Sequence, residues 1–189
     1  MRALPALTLA LLVLVPLATP ARAGSATNPE MQGNPNELLS TSGTTTIGTP
    51  EARLAAAWFD EPNDTTVRVT WQVVDLAHRL RPDEVLSFEV GCGSAGQFVS
   101  VVVSVGGPFP QPVGWFSKPG AAVDATVTTS GNTISATIPR AAWPAPECRG
   151  PAASTSVAFK NPTCPCWSSG IPGWGQRAPD AGTGRSFTF

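Results

Sequence analysis

Apolar and polar positions alternate with a period of two along much of this chain, most plainly between Arg53 and Leu76. Val67, Val69, Trp71 and Val73 share one parity, and Thr66, Arg68, Thr70 and Gln72 the other. Alternating β-branched and aromatic residues mark a strand with one buried face. Upstream, Leu54 to Asp60 runs Leu-Ala-Ala-Ala-Trp-Phe-Asp into Glu61-Pro62-Asn63-Asp64. Proline presets φ there, while Asn and Asp tolerate the left-handed region and bond their own backbone, so this tetrapeptide turns the chain. The stretch therefore predicts a hairpin with Trp58 and Trp71 in its core.

The pattern recurs downstream. Leu86, Phe88, Val90 and Cys92 form one face of a strand, which places Cys92 on the core side, and Gly93 to Gly96 turn the chain. Val99, Val101, Val103 and Val105 are in phase in the next strand. Phe98 and Val102 make its other face partly apolar, as for a central or covered strand. Residues 106–120, rich in Pro and Gly, read as a long loop carrying Trp115 and Phe116. Val123, Ala125 and Val127 lead through Ser130-Gly131-Asn132 to Ile134, Ala136 and Ile138, a second hairpin, after which Pro139 to Trp143 reads as one helical turn. Ser154 to Phe159 and Ser186 to Phe189 are short strands, and Asn161 to Gly184 is irregular. Asp75 to Val85 is a loop with a helical turn. Residues 24–50 are polar and Pro/Gly-rich, a flexible linker that cannot bury enough to offset its ordering entropy, although Leu38, Leu39 and Ile47 could add an edge strand. The prediction is all-β: an antiparallel β-sandwich of 7–9 short strands over residues 51–189, jelly-roll or immunoglobulin-like.

The first 23 residues stand apart. Arg2 gives a positive start, Ala6 to Leu17 is apolar but short for a membrane span, and Ala21-Arg22-Ala23 is a small-x-small cleavage pattern. Residues 1–23 read as a signal peptide, with a mature chain from Gly24 and a secreted, extracellular destination. The mature part carries a net charge of about −3, with Lys and Arg scattered singly. No basic patch meets a phosphate backbone, so nucleic acid is not an expected partner. The abundance of Thr, Val, Ser, Gly and Pro agrees with β structure and many turns.

Leu54 to Glu61, Val67 to Leu76, the Ile138-Pro-Arg-Ala-Ala-Trp143 turn and the Ala178-Pro-Asp-Ala-Gly-Thr-Gly-Arg-Ser-Phe187 end resemble exported DOMON-like modules, similar in shape to family-nine carbohydrate-binding modules. The resemblance covers roughly 53–189. It implies a sandwich with a binding or accessory role and carries no catalytic residue across. Haem-binding relatives use Met and His ligands, and the mature chain offers only Met31 and His78.

Several clusters invite chemistry. Gly91 to Gly96 spells G-x-G-x-x-G, but a strand follows where a dinucleotide site needs a helix, so it reads as a hairpin turn. Cys92, Cys148, Cys164 and Cys166 suit two disulfides in an exported chain. A Cys164–Cys166 bond would be strained, so one of these is expected on Cys148 and the other on Cys92; zinc at Cys164-Pro-Cys166 with Cys148 and His78 is the weaker alternative. Asp60, Glu61, Asn63 and Asp64 crowd one turn, which is a solvated turn or an oxygen-rich calcium site through Asp60, Glu61 and Asp64. Asn63-Asp64-Thr65 is an N-x-T sequon. Trp115, Phe116, Trp143, Trp167 and Trp174 fall in or beside loops, where Trp115, Trp167 and Trp174 could stack on sugar rings or simply pack. Catalysis has little support: one histidine, His78, near Asp75, no nucleophile elbow at Ser94, and no spaced acid pair. The expectation is a non-catalytic module without a cofactor, calcium aside, for carbohydrate or cell-envelope glycan. The alternatives are a surface or matrix protein working through protein contacts and a secreted hydrolase.

Overall fold

Strand propensity is realised along almost the whole chain. In a computed structural model, residues 24–33, 38–41, 44–47, 53–76, 84–94, 97–106, 108–118, 121–144, 146–160, 167–168, 174–179 and 183–189 are described. Their strands are β1 (Met31–Gln32), β2 (Leu38–Thr41), β3 (Thr44–Ile47), β4 (Leu54–Asn63), β5 (Thr66–Val73), β6 (Glu84–Ser94), β7 (Gln97–Gly106), β8 (Phe109–Lys118), β9 (Ala121–Ser130), β10 (Thr133–Pro139), β11 (Glu147–Lys160), β12 (Trp167–Ser168), β13 (Trp174–Ala178) and β14 (Phe187–Thr188). The turn expected after β10 is a 3-10 turn at Arg140–Ala142. No helix of the described residues is long and apolar enough to cross a membrane.

All strand pairs are antiparallel. The strands expected to divide between two sheets instead follow one hydrogen-bonded path, β1-β4-β5-β10-β9-β8-β7-β6-β11-β12, with β13 and β14 also on β11; β2 and β3 pair with each other. That path curls into a half-barrel. The right-handed twist between neighbouring strands accumulates over a wide sheet and lets one face wrap a core. Hence Trp71 on β5 packs against Phe88 on β6, ring centroids 6.1 Å apart, although the two strands are distant in the sheet order. The indole N–H of Trp71 donates to the Glu89 carbonyl at 3.2 Å.

The inward faces are those read from the alternation. Val67, Val69, Trp71, Phe88, Val90, Val101, Val103, Ile134, Ala136 and Ile138 are buried together. Trp58 is also buried. At one end an aromatic cluster gathers Phe59, Phe116, Trp143, Phe187 and Phe189, with Trp143 and Phe189 centroids 4.6 Å apart and Phe59 stacked on Phe187 at 5.4 Å.

Three expectations are corrected. The Pro/Gly loop at 106–120 is β8. Its proline-bearing half has no partner on β9, which pairs only with Gly114 to Lys118, and the ladder to β7 is irregular between Ser104 and Gly106. Proline is tolerated where no ladder hydrogen bond is required. Gly114 is needed for close packing, because a β-carbon there would stand 2.7 Å from a Val127 methyl. The strand expected at Ser154 to Phe159 begins at Glu147 and passes a bulge between Arg149 and Ala152, where Gly150 has φ 53°. The expected linker also contributes Gly24–Gly33 to the fold. Met31 is fully buried, β1 pairs with β4, and the Gly33 N–H donates to the Ala55 carbonyl.

These N-terminal residues form a seam with the chain's far end. The Gly184 N–H donates to the Pro151 carbonyl on β11, and the Arg185 N–H to the Glu30 carbonyl beside β1, so one short segment bridges the two margins of the curled sheet. The Glu30 side chain is buried; its Oε2 accepts the Phe59 N–H at 2.9 Å, and Arg185 approaches its Oε1 at 3.4 Å. Burial holds the Glu30 carboxyl above its ordinary value of 4.5, partly offset by the Phe59 and its own N–H groups and by Arg185.

The disulfide joins Cys92 on β6 to Cys148 on β11, Cα atoms 5.5 Å apart, on the buried face. This replaces the expected pairing of each with Cys164 or Cys166, which lie outside the described residues. Strand adjacency brings Cys92 and Cys148 together, and sequence separation gave no sign of it.

Candidate functional site

Strand register assembles one continuous row of residues on the outer face of β6 to β9. Glu89 lies opposite Val102, Val102 opposite Trp115, and Trp115 opposite Asp124; Ser154 of β11 continues the row beyond Glu89. Directly opposed residues of antiparallel strands point to the same face. The alternate residues Val101, Val103 and Phe116 are buried in the core, so Trp115 faces outward and is partly exposed, between the exposed carboxylates of Glu89 and Asp124.

The flanking rows are small and hydroxylated. Ser87 faces the buried Ser104, with hydroxyls 3.3 Å apart, and on the other side Gly91, Ser100 and Ser117 align. Strand spacing sets the distance from Glu89 to Asp124 at about 14 Å between backbones. Val102 and Trp115 stand between the two acidic residues. The row can accept hydrogen bonds and offer a ring face.

Beyond Glu89 the surface drops into an open groove of about 480 Å³, lined by Glu89, Gly91, Gly93, Gly150, Ala152 and Thr183. It lies at the β11 bulge, and its three glycines carry no side chains to fill it.

The other expected site residues are dispersed. Phe116 and Trp143 are core residues, and the Trp143 N–H is buried without a hydrogen-bond partner. Trp167 and Trp174 contribute backbone to β12 and β13, which pair with Lys160 and Val157; their side chains, like His78, lie outside the described residues. In the first hairpin the carboxylates have cationic partners. Arg68 grips Asp60 through two contacts of 2.9 Å, and Arg140 meets Glu61 at 2.5 Å, while Asp64 is exposed at the tip. Arginines thus occupy two of the three groups expected to hold calcium, and among the described residues no three His, Cys, Asp or Glu side chains gather as a metal site. The Asn63 carboxamide oxygen accepts from the Thr65 N–H and both threonine hydroxyls, closing the turn.

Sequence reasoning named Trp115 but missed Glu89, Asp124 and the serine rows. Their signal was the polar parity of each strand, and only register shows that those parities adjoin. Compared with known proteins, the chain matches no family model, no curated protein and no solved structure.

Proposed function

We propose that this chain is an exported, non-catalytic module that binds carbohydrate of the cell-envelope or polysaccharide class on the outer face of β6 to β9. The observation that carries the reading is the row Glu89–Val102–Trp115–Asp124 between hydroxylated margins. An indole face stacks on the C–H face of a pyranose, and flanking carboxylates and serines accept from or donate to its hydroxyls. The row runs across four strands on the outer face, as suits an extended chain of sugars rather than one enclosed ring. The resemblance to DOMON-like modules supports the same class, and on this reading the curled sheet belongs with their sandwiches. The leader-like residues 1–23 and the disulfide support export.

The test is tryptophan fluorescence of the chain from Gly24 against a polysaccharide panel, with calcium and with chelator. With no tyrosine, the signal comes from the six tryptophans. A saturable shift with one glycan is expected, and Trp115→Ala should weaken that binding about fivefold or more, since a stacked aromatic contributes about 1 kcal/mol. Its thermal stability should stay within about 0.5 kcal/mol of the parent, as for a surface change. A flat response across the panel would overturn the reading in favour of protein contacts.

A further inference from the structure

The backbone of Gly24 lies directly against the buried carboxylate of Glu30. The Gly24 N–H donates to the Phe59 carbonyl at 2.9 Å, and the Phe59 N–H donates to Glu30 Oε2 at 2.9 Å, so the two residues clasp both backbone polar groups of one β4 residue. A β-carbon at Gly24 would overlap Glu30 Oε2 and stand 2.8 Å from Oε1. Only glycine lets the main chain come so near. Glu30 is 5% exposed. Its cationic partner, Arg185, reaches Oε1 at a long 3.4 Å from the solvent side, and shares its guanidinium with the carbonyls of Asn28 and Pro29. A buried carboxylate is costly unless closely paired. Gly24 is also the residue that follows the Ala21-Arg22-Ala23 cleavage pattern.

We infer that cutting the Ala23–Gly24 bond creates the ligand of this site: the new α-ammonium of Gly24 docks on the Glu30 carboxylate and locks the N-terminal segment onto β4. The inference rests on the reading of residues 1–23 as a leader removed by a peptidase. One water adds across the peptide bond. Ala23 leaves as a carboxylate, and the Gly24 nitrogen becomes an ammonium, which needs no other co-reactant. Before the cut that nitrogen has one hydrogen, already given to Phe59; afterwards it has two more, on a residue whose Cα side already lies against the Glu30 carboxylate. The burial that raises the Glu30 carboxyl in the uncut chain is then met by a close positive charge. The latch also sits on the seam, because the Glu30 carbonyl accepts from the Arg185 N–H.

The experiment compares the chain starting at Gly24, released from a cleavable tag, with the same chain acetylated on its α-amine. Acetylation keeps the N–H to Phe59 and removes the charge. Acetylation should lower Tm by on the order of 5 °C, and the E30Q background should erase that difference. The α-amine should titrate above its usual range of about 7.7–8.0. Its contribution is then fully present below that range and is lost as pH rises through the raised value. Equal Tm for the free and acetylated chains, or an α-amine that titrates normally, would overturn the latch. If E30Q fails to fold, the amine titration and the parent pair decide. Intact mass of the exported chain reports separately whether the host cuts after Ala23, so a wrong leader reading and a wrong latch give different results.

Discussion

Trp71→Ala should cost about 3–5 kcal/mol, the usual range for truncating a buried Trp. Trp71 is fully buried, packs on Phe88 across the core, and gives its indole proton to the Glu89 carbonyl of the opposite wall. The cavity opens where the curled sheet meets itself, and neither wall can move inward without breaking its own ladder. Against a typical total of about 5–15 kcal/mol, the loss takes a large part of the protein's stability. Chemical denaturation followed by far-ultraviolet circular dichroism would read it, as a lower midpoint at unchanged slope. Trp71→Phe should recover part of the loss, because a six-membered aromatic ring stays in the core while the rest of the indole and one hydrogen bond, worth about 1 kcal/mol, are lost. A Trp71→Ala variant as stable as the parent would mean that the two walls are not in contact.

Reduction of the Cys92–Cys148 bond is the second large effect. The two residues are 56 positions apart, and a closed loop of that length restrains the unfolded chain by about 4 kcal/mol in the chain-entropy account. The bond joins neighbouring strands beside the β11 bulge, where the ladder is irregular. Denaturation midpoints with and without a phosphine reductant should therefore differ strongly in the parent. In a C92A/C148A double variant the same reductant should have little effect on the midpoint. An equal response in both would show that the stabilising bond lies elsewhere.

How much was legible depended on where information sits in a strand. In the first hairpin, parity alone identified the buried face, because Val67, Val69, Trp71 and Val73 are apolar and their neighbours are not. The 3-10 turn at Arg140–Ala142 announced itself as well. β8 was illegible because Pro110, Pro112 and Gly114 are breakers on average. Here the prolines sit beyond the last β8–β9 pair, Gly114 with Ala125, and the glycine fits between two valines. β11 was half read, since Gly150 and Pro151 signal a turn and in fact form a bulge. The N-terminal segment defeated composition altogether: one methionine and one glutamate amid polar residues anchor it to β4. The continuous curled sheet could not be read, because strand order is set by pairings between distant segments. The candidate site was legible only at Trp115; its carboxylates and serines are ordinary outward residues until register sets them side by side.

The seam also bears on how copies of this protein behave when crowded together. An open sheet has two margins, each a row of free amides and carbonyls on which a neighbour's strand can grow. Here residues 24–33 lie along β4, and β12, β13 and β14 lie along β11, so the chain covers both margins with its own ends. Neither cover is a long strand with many bonds of its own. Loss of Phe187 to Phe189, by trimming or early termination, would bare the start of β11 and empty a corner of the aromatic cluster at once. The first consequence would then be fibrous self-association through β11, ahead of global unfolding.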